Sequence, residues 1–277
     1  MARAARTMKP APFEYDAPDS IEEALDLLAR HGDDAKVLAG GQSLVPLLNF
    51  RLARPGRLVD INRIGDLAYV EHSDGRLKLG ALTRTAALER SELVAEQWPI
   101  LREAVRYAGH PQIRSRGTVG GSVAHADPAA ELPTVLTALD ARFTVRSLRG
   151  VRRLAADELF AGFLTTTLAP DELVVEIDLP SLPAGAGSAF VEYARVHGDF
   201  ALAGAAVAVS PDRAAVVLLR AGPTPLRVAD AERALVEGAD EEAARLAAAA
   251  ADVDGPRRAL LEDVARRAIA LARERTA

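Results

Sequence analysis

The chain has 277 residues, 49% of them hydrophobic, and a formal net charge of −5 from 34 Lys and Arg against 39 Asp and Glu. This is the composition of a globular protein with one large or two smaller domains, and no run approaches the ~18 apolar residues that a transmembrane helix requires. Only Lys9, Lys36 and Lys78 are lysines, and the scattered basic residues are outnumbered by acids, which excludes a phosphate-tracking nucleic-acid surface.

Residues 1–18 read as an irregular lead-in. Its start is basic but no apolar stretch follows, so no secretory signal is expected and the location is read as cytoplasmic. Ser20 opens S-I-E-E, a capping box with Glu23, and Ile21, Ala24, Leu25 and Leu28 follow at helical spacing up to His31-Gly32. A short strand, Lys36–Ala39, runs into Gly40-Gly41. A short helix over Val45–Phe50 and a strand over Arg57–Ile61 come next. Leu77–Leu82 reads as a strand, Thr83 as the cap of a helix to Arg90, and Glu92–Ala108 as one long amphipathic helix. A glycine-rich turn, Gly117–Ser122, interrupts the pattern. Asp127 then caps a helix with Pro128 in its first position. Ala141–Ser147 and Leu173–Leu179 are strands, and Pro180–Ser188 is the best linker in the chain. Ala189–Val196, Ala201–Ser210 and Ala214–Leu219 read as an antiparallel meander. Two or three Ala- and Arg-rich helices close the chain between Val228 and Arg275.

Two segments carry chemistry. In Val37–Leu44 a strand gives way to Gly40-Gly41 and then to a helix-like run. In Arg116–Ser122, Gly120-Gly121 is again followed by a hydroxyl residue. Paired glycines let successive N–H groups converge on one spot, a geometry that binds phosphate oxygens. Two such loops, about 80 residues apart, can clamp one diphosphate from two sides. The pattern alone leaves each open to being only a tight turn, and neither is a dinucleotide-fold or P-loop signature. Cysteine is absent, which removes disulfides, thiol nucleophiles and cysteine-ligated clusters. The five histidines show no metal-binding spacing, so no metal site is expected and redox chemistry must come from an organic cofactor or another chain.

Ala39–Ile64 (AGGQSLVPLLNFRLARPGRLVDINRI) and Ile113–Ala141 (IRSRGTVGGSVAHADPAAELPTVLTALDA) resemble the two FAD-binding segments of the flavoprotein subunit of molybdenum hydroxylases, the carbon monoxide dehydrogenase and xanthine dehydrogenase family. Gly162–Pro180, Glu192–Val209 and Gly222–Leu235 resemble its later segments in the same order. The resemblance implies an α+β fold: a two-lobed FAD-binding domain of the vanillyl-alcohol-oxidase (PCMH) type over 1–178, with lobes 1–62 and 63–178. A linker over 179–187 and a small C-terminal domain over 188–277, with a three-stranded antiparallel sheet and helices, would follow. It implies that the backbone of Val37, Leu38, Ala39, Gly40, Gly41, Gln42, Ser43 and Leu44, with that of Thr118, Val119, Gly120, Gly121 and Ser122, holds the FAD diphosphate. Ala108 falls at a flavin-contact position and Glu131 where the family has an acid that hydrogen-bonds the cofactor. Leu168 falls where backbone meets the adenine side, and Phe200 where a side chain faces the isoalloxazine.

By themselves Phe200 reads as a core aromatic and Glu131 as a first-turn helix acid. The implied role is an electron-transfer oxidoreductase subunit with no catalytic residue of its own for the organic substrate. FAD would take electrons from [2Fe–2S] clusters in a small partner subunit and pass them to an external acceptor. A large subunit would carry the molybdenum cofactor, and the complex would be a dimer of heterotrimers. The competing reading is a standalone FAD-dependent oxidoreductase acting directly on a small substrate.

Overall fold

The structure, a computed structural model, describes residues 9–276; residues 1–8 of the expected lead-in lie outside them. Glu14–Asp16 (β1), Ile21–His31 (α1), Ala35–Leu38 (β2), Leu44–Asn49 (α2) and Arg57–Asp60 (β3) form the first unit. Its strands are parallel in the order β1–β3–β2, joined by the helical crossovers that parallel pairing requires. The Ser20 hydroxyl accepts the Glu23 N–H at 3.2 Å, while the Glu23 carboxylate accepts the N–H of Asp19 at 3.0 Å, so the cap reaches one residue further out than a Ser20–Glu23 box. Ala24, Leu25 and Leu28 bury the inner face of α1 against Val59.

The second unit holds Val70–Ser73 (β4), Arg76–Gly80 (β5), Arg142–Ser147 (β6), Gly150–Leu154 (β7), Phe160–Gly162 (β8), Thr165–Thr166 (β9) and Leu173–Pro180 (β10). Its helices are Thr85–Arg90 (α3), Glu92–Gln97 (α4), Pro99–Tyr107 (α5), Pro111–Arg114 (α6), Val119–His125 (α7), Glu131–Ala138 (α8) and Ala156–Leu159 (α9). Five strands make one antiparallel sheet ordered β4–β5–β10–β6–β7. The last strand in sequence is therefore central. It serves two cores: Val174, Ile177 and Leu179 join the helices of its own unit, while Leu173 and Val175 pack with the first unit.

Three local expectations are corrected. The helix expected over Glu92–Ala108 breaks between Gln97 and Pro99, because Pro99 brings no N–H and Trp98 leaves helical geometry. The buried Trp98 indole instead donates to the Pro180 carbonyl at 2.9 Å. Thr83 does not cap α3; its hydroxyl donates to the Tyr69 carbonyl at 2.6 Å. Asp127 accepts the Ala129 N–H at 2.8 Å in a tight turn, and α8 begins only at Glu131.

Gly187–Tyr193 (β11), Ala203–Val209 (β12), Ala214–Leu219 (β13) and Leu226–Arg227 (β14) form a four-stranded antiparallel meander, one strand more than the three expected. Helices Ala229–Val236 (α10), Asp240–Ala249 (α11) and Gly255–Glu274 (α12) follow. Strand alternation divides the apolar residues between two faces. Ala189, Val191, Val207, Val216 and Leu218 face α10–α12, and Phe190, Ala206, Ala215, Val217 and Leu219 face the second unit. Both faces are covered, which is why these strands read as nearly unbroken apolar runs. No helix among the described residues is long and apolar enough to cross a membrane.

Candidate functional site

The two glycine segments meet backbone to backbone. A Cβ on Gly40 would lie 2.4 Å from the Arg116 carbonyl oxygen and 2.9 Å from the Gly117 α-carbon, so only glycine allows this approach. Gly41 takes φ +73°, which turns the chain from β2 into α2. Val37 and Leu38 are strand residues paired with Val59 and Asp60. Beyond them, the N–H groups of Gly40, Gly41, Gln42, Ser43 and Leu44 have no acceptor among the described residues. Gln42 folds its amide back onto the Gly40 carbonyl at 2.9 Å. The result is a run of free donors at the start of α2, beside the other glycine segment.

The second segment differs from the expected turn. Thr118 is the N-cap of α7, and Val119–Ser122 form its first turn. Their amides are spent inside the protein. Val119 donates to Thr83 O at 3.0 Å, Gly120 to Ala81 O at 2.9 Å, Gly121 to the Thr118 hydroxyl at 3.1 Å and Ser122 to Thr118 O at 3.0 Å. Among the described residues the N–H of Thr118 has no acceptor. The glycines are needed for packing: a Cβ on Gly120 would strike Ala81 at 2.6 Å, and one on Gly121 the Thr118 hydroxyl at 2.6 Å. The two loops thus have different work, one offering donors and the other forming the wall.

A polar brace absent from the sequence reading ties them. Asn62 donates to the Ala39 carbonyl at 2.8 Å, and its side-chain oxygen accepts from Arg84 Nη2 at 2.7 Å. Arg84 Nη1 donates to the Arg116 carbonyl at 2.6 Å. Asp60 accepts from the Asn62 side chain at 2.6 Å and from the Tyr15 hydroxyl at 2.6 Å. Burial raises the Asp60 pKa, but these hydrogen bonds and the charge of Arg116 outweigh it and hold the carboxyl below its ordinary range. Arg84 and Arg116 together place positive charge at the junction, which suits an anionic ligand.

Ala108 ends α5 and is followed by Gly109 at φ +58°. Arg114, buried in α6, donates to the Gly109 carbonyl at 2.8 Å and to Glu89 at 2.8 Å, so the stretch from Ala108 to the second glycine segment is one fixed piece. Gly198, in the β11–β12 loop, lies against this turn; a Cβ there would sit 2.8 Å from His110. The Ala108 turn and the Phe200 loop are thereby neighbours. Phe200 is 66% exposed and lines a cleft of about 460 Å³ with Phe163, Asp127, Pro128 and Arg220. It is not a core aromatic. Leu168 is half-buried after β9, which packs on α7.

Glu131 is 8% exposed at the start of α8. Burial, with the charge of Asp127 adding, pushes its pKa up to about 7. The sequence reading missed Glu192 on β11, 9% exposed, which burial and then the charge of Glu131 push up to about 8. Its signal was a lone acid in an otherwise apolar strand. Arg84 left no such trace.

Comparison with known proteins identifies the family of the chain. Residues 11–182 match the family described as FAD binding domain in molybdopterin dehydrogenase. The chain is 50% identical over 254 residues to the alpha subunit of the 6-hydroxypseudooxynicotine dehydrogenase complex of Paenarthrobacter nicotinovorans, covering 90% of this chain and 86% of that one. It superposes on a chain of a Hydrogenophaga pseudoflava carbon monoxide dehydrogenase with a TM-score of 0.92 at 37% identity, covering 97% of this chain and 99% of that one. A Pseudomonas putida quinoline 2-oxidoreductase chain gives 0.90 at 33% identity, covering 97% and 100%. The chain therefore belongs to the FAD-binding family of the molybdopterin dehydrogenases, as the medium, flavoprotein subunit of a molybdenum hydroxylase.

Proposed function

We propose that this chain is the electron-transfer subunit of a heterotrimeric molybdenum-containing hydroxylase. It receives electrons from [2Fe–2S] clusters of a small subunit and passes them through FAD to an external acceptor. The supporting observation is the junction of the two glycine segments: free amides from Gly40 to Leu44, facing a wall that no Cβ could enter, next to two arginines. That cradle fits a diphosphate. The lack of any cysteine supports the division of labour, since clusters must then be ligated by another chain.

In this reading the first two units, 1–178, form a two-lobed PCMH-type FAD domain split near residue 62. The linker expected over 179–187, whose ends are the last residues of β10 and the first of β11, joins it to a C-terminal domain over 188–277. The amides of Gly40–Leu44 and of Thr118 donate to the diphosphate, with the Ser122 hydroxyl beside them. Ala108, Glu131, Leu168 and Phe200 line the remainder of the cofactor path, and Phe200 covers a ring face and sets access to it. FAD, once bound, supplies the two-electron chemistry. The chain fixes its place, through the amides of Gly40–Leu44 and the wall at Gly120-Gly121. A molybdopterin large subunit oxidises the organic substrate, and the complex is a cytoplasmic dimer of heterotrimers.

The test is to purify the chain with whatever accompanies it and record the visible spectrum. FAD near one per chain with iron–sulfur absorbance from a co-purifying partner supports the reading. Flavin with no partner points to a standalone flavoenzyme, and a colourless chain that takes up no added FAD overturns both.

A further inference from the structure

Arg220 follows β13 with φ +58°, a backbone angle that only glycine adopts at little cost. It is held there from two sides. Its N–H donates to the Pro128 carbonyl at 3.0 Å, and its carbonyl accepts from Arg257 Nη2 at 2.8 Å. Among the described residues its guanidinium makes no hydrogen bond or ion pair, so no polar contact of the side chain offsets the strain. Arg220 instead lines the cleft of about 460 Å³. Phe163, at the tip of the β8–β9 hairpin, and Phe200, in the β11–β12 loop, enter that cleft from different units, and both are largely exposed. Pro128, Pro223 and Val253 add apolar wall. The other charged groups there are Asp127, which accepts the Ala129 N–H, Asp252 in the α11–α12 turn, and Arg257, engaged with the Arg220 carbonyl. Neither acid pairs with Arg220 among the described residues. The seven residues of α7, about 10 Å of helix, separate Thr118 in the glycine wall from Asp127-Pro128 at the cleft. That is the scale of the ribityl chain between the ring system of FAD and its diphosphate.

We propose that Arg220, with Phe163 and Phe200, forms the binding site of the external electron acceptor, a planar ring molecule bearing an anionic group. The inference deepens the electron-transfer reading and rests on it for what the ligand does once bound. Large aromatic side chains left in water around a cleft mark a surface that a ligand covers. Their faces suit a flat ring. An unpaired guanidinium offers a fork of donors that matches a carboxylate, sulfonate or phosphate. Backbone strain held at such a place is characteristic of a functional position. Arg220→Gly would relax the backbone, but it would leave only Arg257, already engaged, as a cation in the cleft. In the reaction two electrons, with protons from the reduced ring and from water, pass to the bound acceptor, and FAD returns to its oxidised form. The acceptor is the only co-reactant needed.

Calorimetric titration of the full chain, first without cofactor and then loaded with FAD, tests the site. The probes are a naphthoquinone sulfonate and the same naphthoquinone without its sulfonate; the chain has no cysteine for either to arylate. The sulfonate should bind the wild type about tenfold more tightly than Arg220→Gly, the scale of one lost charge-assisted hydrogen bond. Arg220→Lys should recover part of that factor. The uncharged quinone should bind all three alike, and Phe163→Ala should weaken both probes. Arg220→Gly should not lower the Tm, because glycine accepts the backbone angle; Arg220→Gln is the second variant should it misfold. In stopped-flow reoxidation of the reduced, FAD-loaded chain, Arg220→Gly should need about tenfold more sulfonate for half-saturation, with the rate at saturation unchanged. Equal binding of the sulfonate by wild type and Arg220→Gly, or no binding by the wild type, would overturn the site. So would a loss of FAD affinity in Arg220→Gly, which assigns Arg220 to the cofactor. A chain that takes up no FAD overturns the electron-transfer reading and the acceptor role with it, while sulfonate binding to the cofactor-free chain reads the site separately.

Discussion

Arg84 donates through Nη2 to the side-chain oxygen of Asn62 at 2.7 Å, and through this one contact the carbonyls of Ala39 and Arg116 share a single scaffold. Replacing Arg84 by Ala removes the fork that sets the spacing between donor loop and wall. FAD affinity should fall about tenfold, the scale of one lost charge-assisted hydrogen bond. Arg84→Lys should recover only part of it, because an ammonium cannot reach both carbonyl and amide in the same plane. Flavin fluorescence titration reads both, and equal affinity in Arg84→Ala would remove the brace from the account.

Gly40 has no room for a side chain, whereas Gly65 has nothing within 4 Å of its added Cβ. Gly40→Val should therefore purify with little or no flavin and a lowered Tm. Gly65→Ala should match the wild type in both. Flavin content per chain, measured after denaturation, separates the two.

Phe200 is largely exposed, so its loss removes little buried area. Phe200→Ala should leave Tm and FAD content nearly unchanged while altering the rate of transfer to an external acceptor. Stopped-flow reoxidation of the reduced chain is the measurement. An unchanged reoxidation rate would sever Phe200 from acceptor access.

The raised pKa values of Glu131 and Glu192 make a stability prediction whose sign is fixed. The folded state holds protons that the unfolded state has released, so stability is highest below the unfolded value near 4.5. It is lost as pH rises through about 7 and 8. The Tm should fall between pH 5 and pH 8.5, and Glu192→Gln should flatten that fall, ending about 2 °C or more above the wild type at pH 8.5. Glu172 has the opposite sign. Burial raises its pKa, but hydrogen bonds from Arg152 and the Ala169 amide lower it more, so its contribution is lost on acidification and should be untouched by the Glu192 change.

Arg114 is buried against Glu89, which is itself partly in solvent. Glu89→Ala leaves the guanidinium with the Gly109 carbonyl as its remaining acceptor. The cost should be about 2 kcal/mol, below the ~3–5 kcal/mol of a fully buried broken pair because water reaches Glu89. Since Arg114 also fixes the turn after Ala108, FAD retention should weaken together with Tm in thermal melts.

Elements were legible where local pattern decides them. Helix α1, the strand before Gly40 and the three long strands after residue 186 follow from periodicity and glycine punctuation. Elements set by partners were not. The pair β8–β9 and strand β14 are too short to show a period, and β4 is a largely exposed hairpin arm. The break at Trp98-Pro99 was visible as a proline yet masked by apolar spacing that continues through it. In the site, the glycines of both segments were legible because close approach demands glycine. Their different roles were not, since whether an amide is free depends on Ala81 and Thr83, nearly 40 residues earlier. Arg84 and Asn62 act through carbonyls distant in sequence, so nothing local marks them.

The central place of β10 sets an order of events during folding. Hairpins β4–β5 and β6–β7 can each form from neighbouring residues, but they share no hydrogen bonds with one another. They join only when residues 173–180, almost a hundred positions after β5, insert between them. That long loop closure is a slow step for a nascent chain. Leu173 and Val175 on the same strand also seat the first unit. The strand that completes the second sheet is thus also the one against which the unit carrying Gly40 packs, so a change at Leu173 or Val175 reaches both units at once.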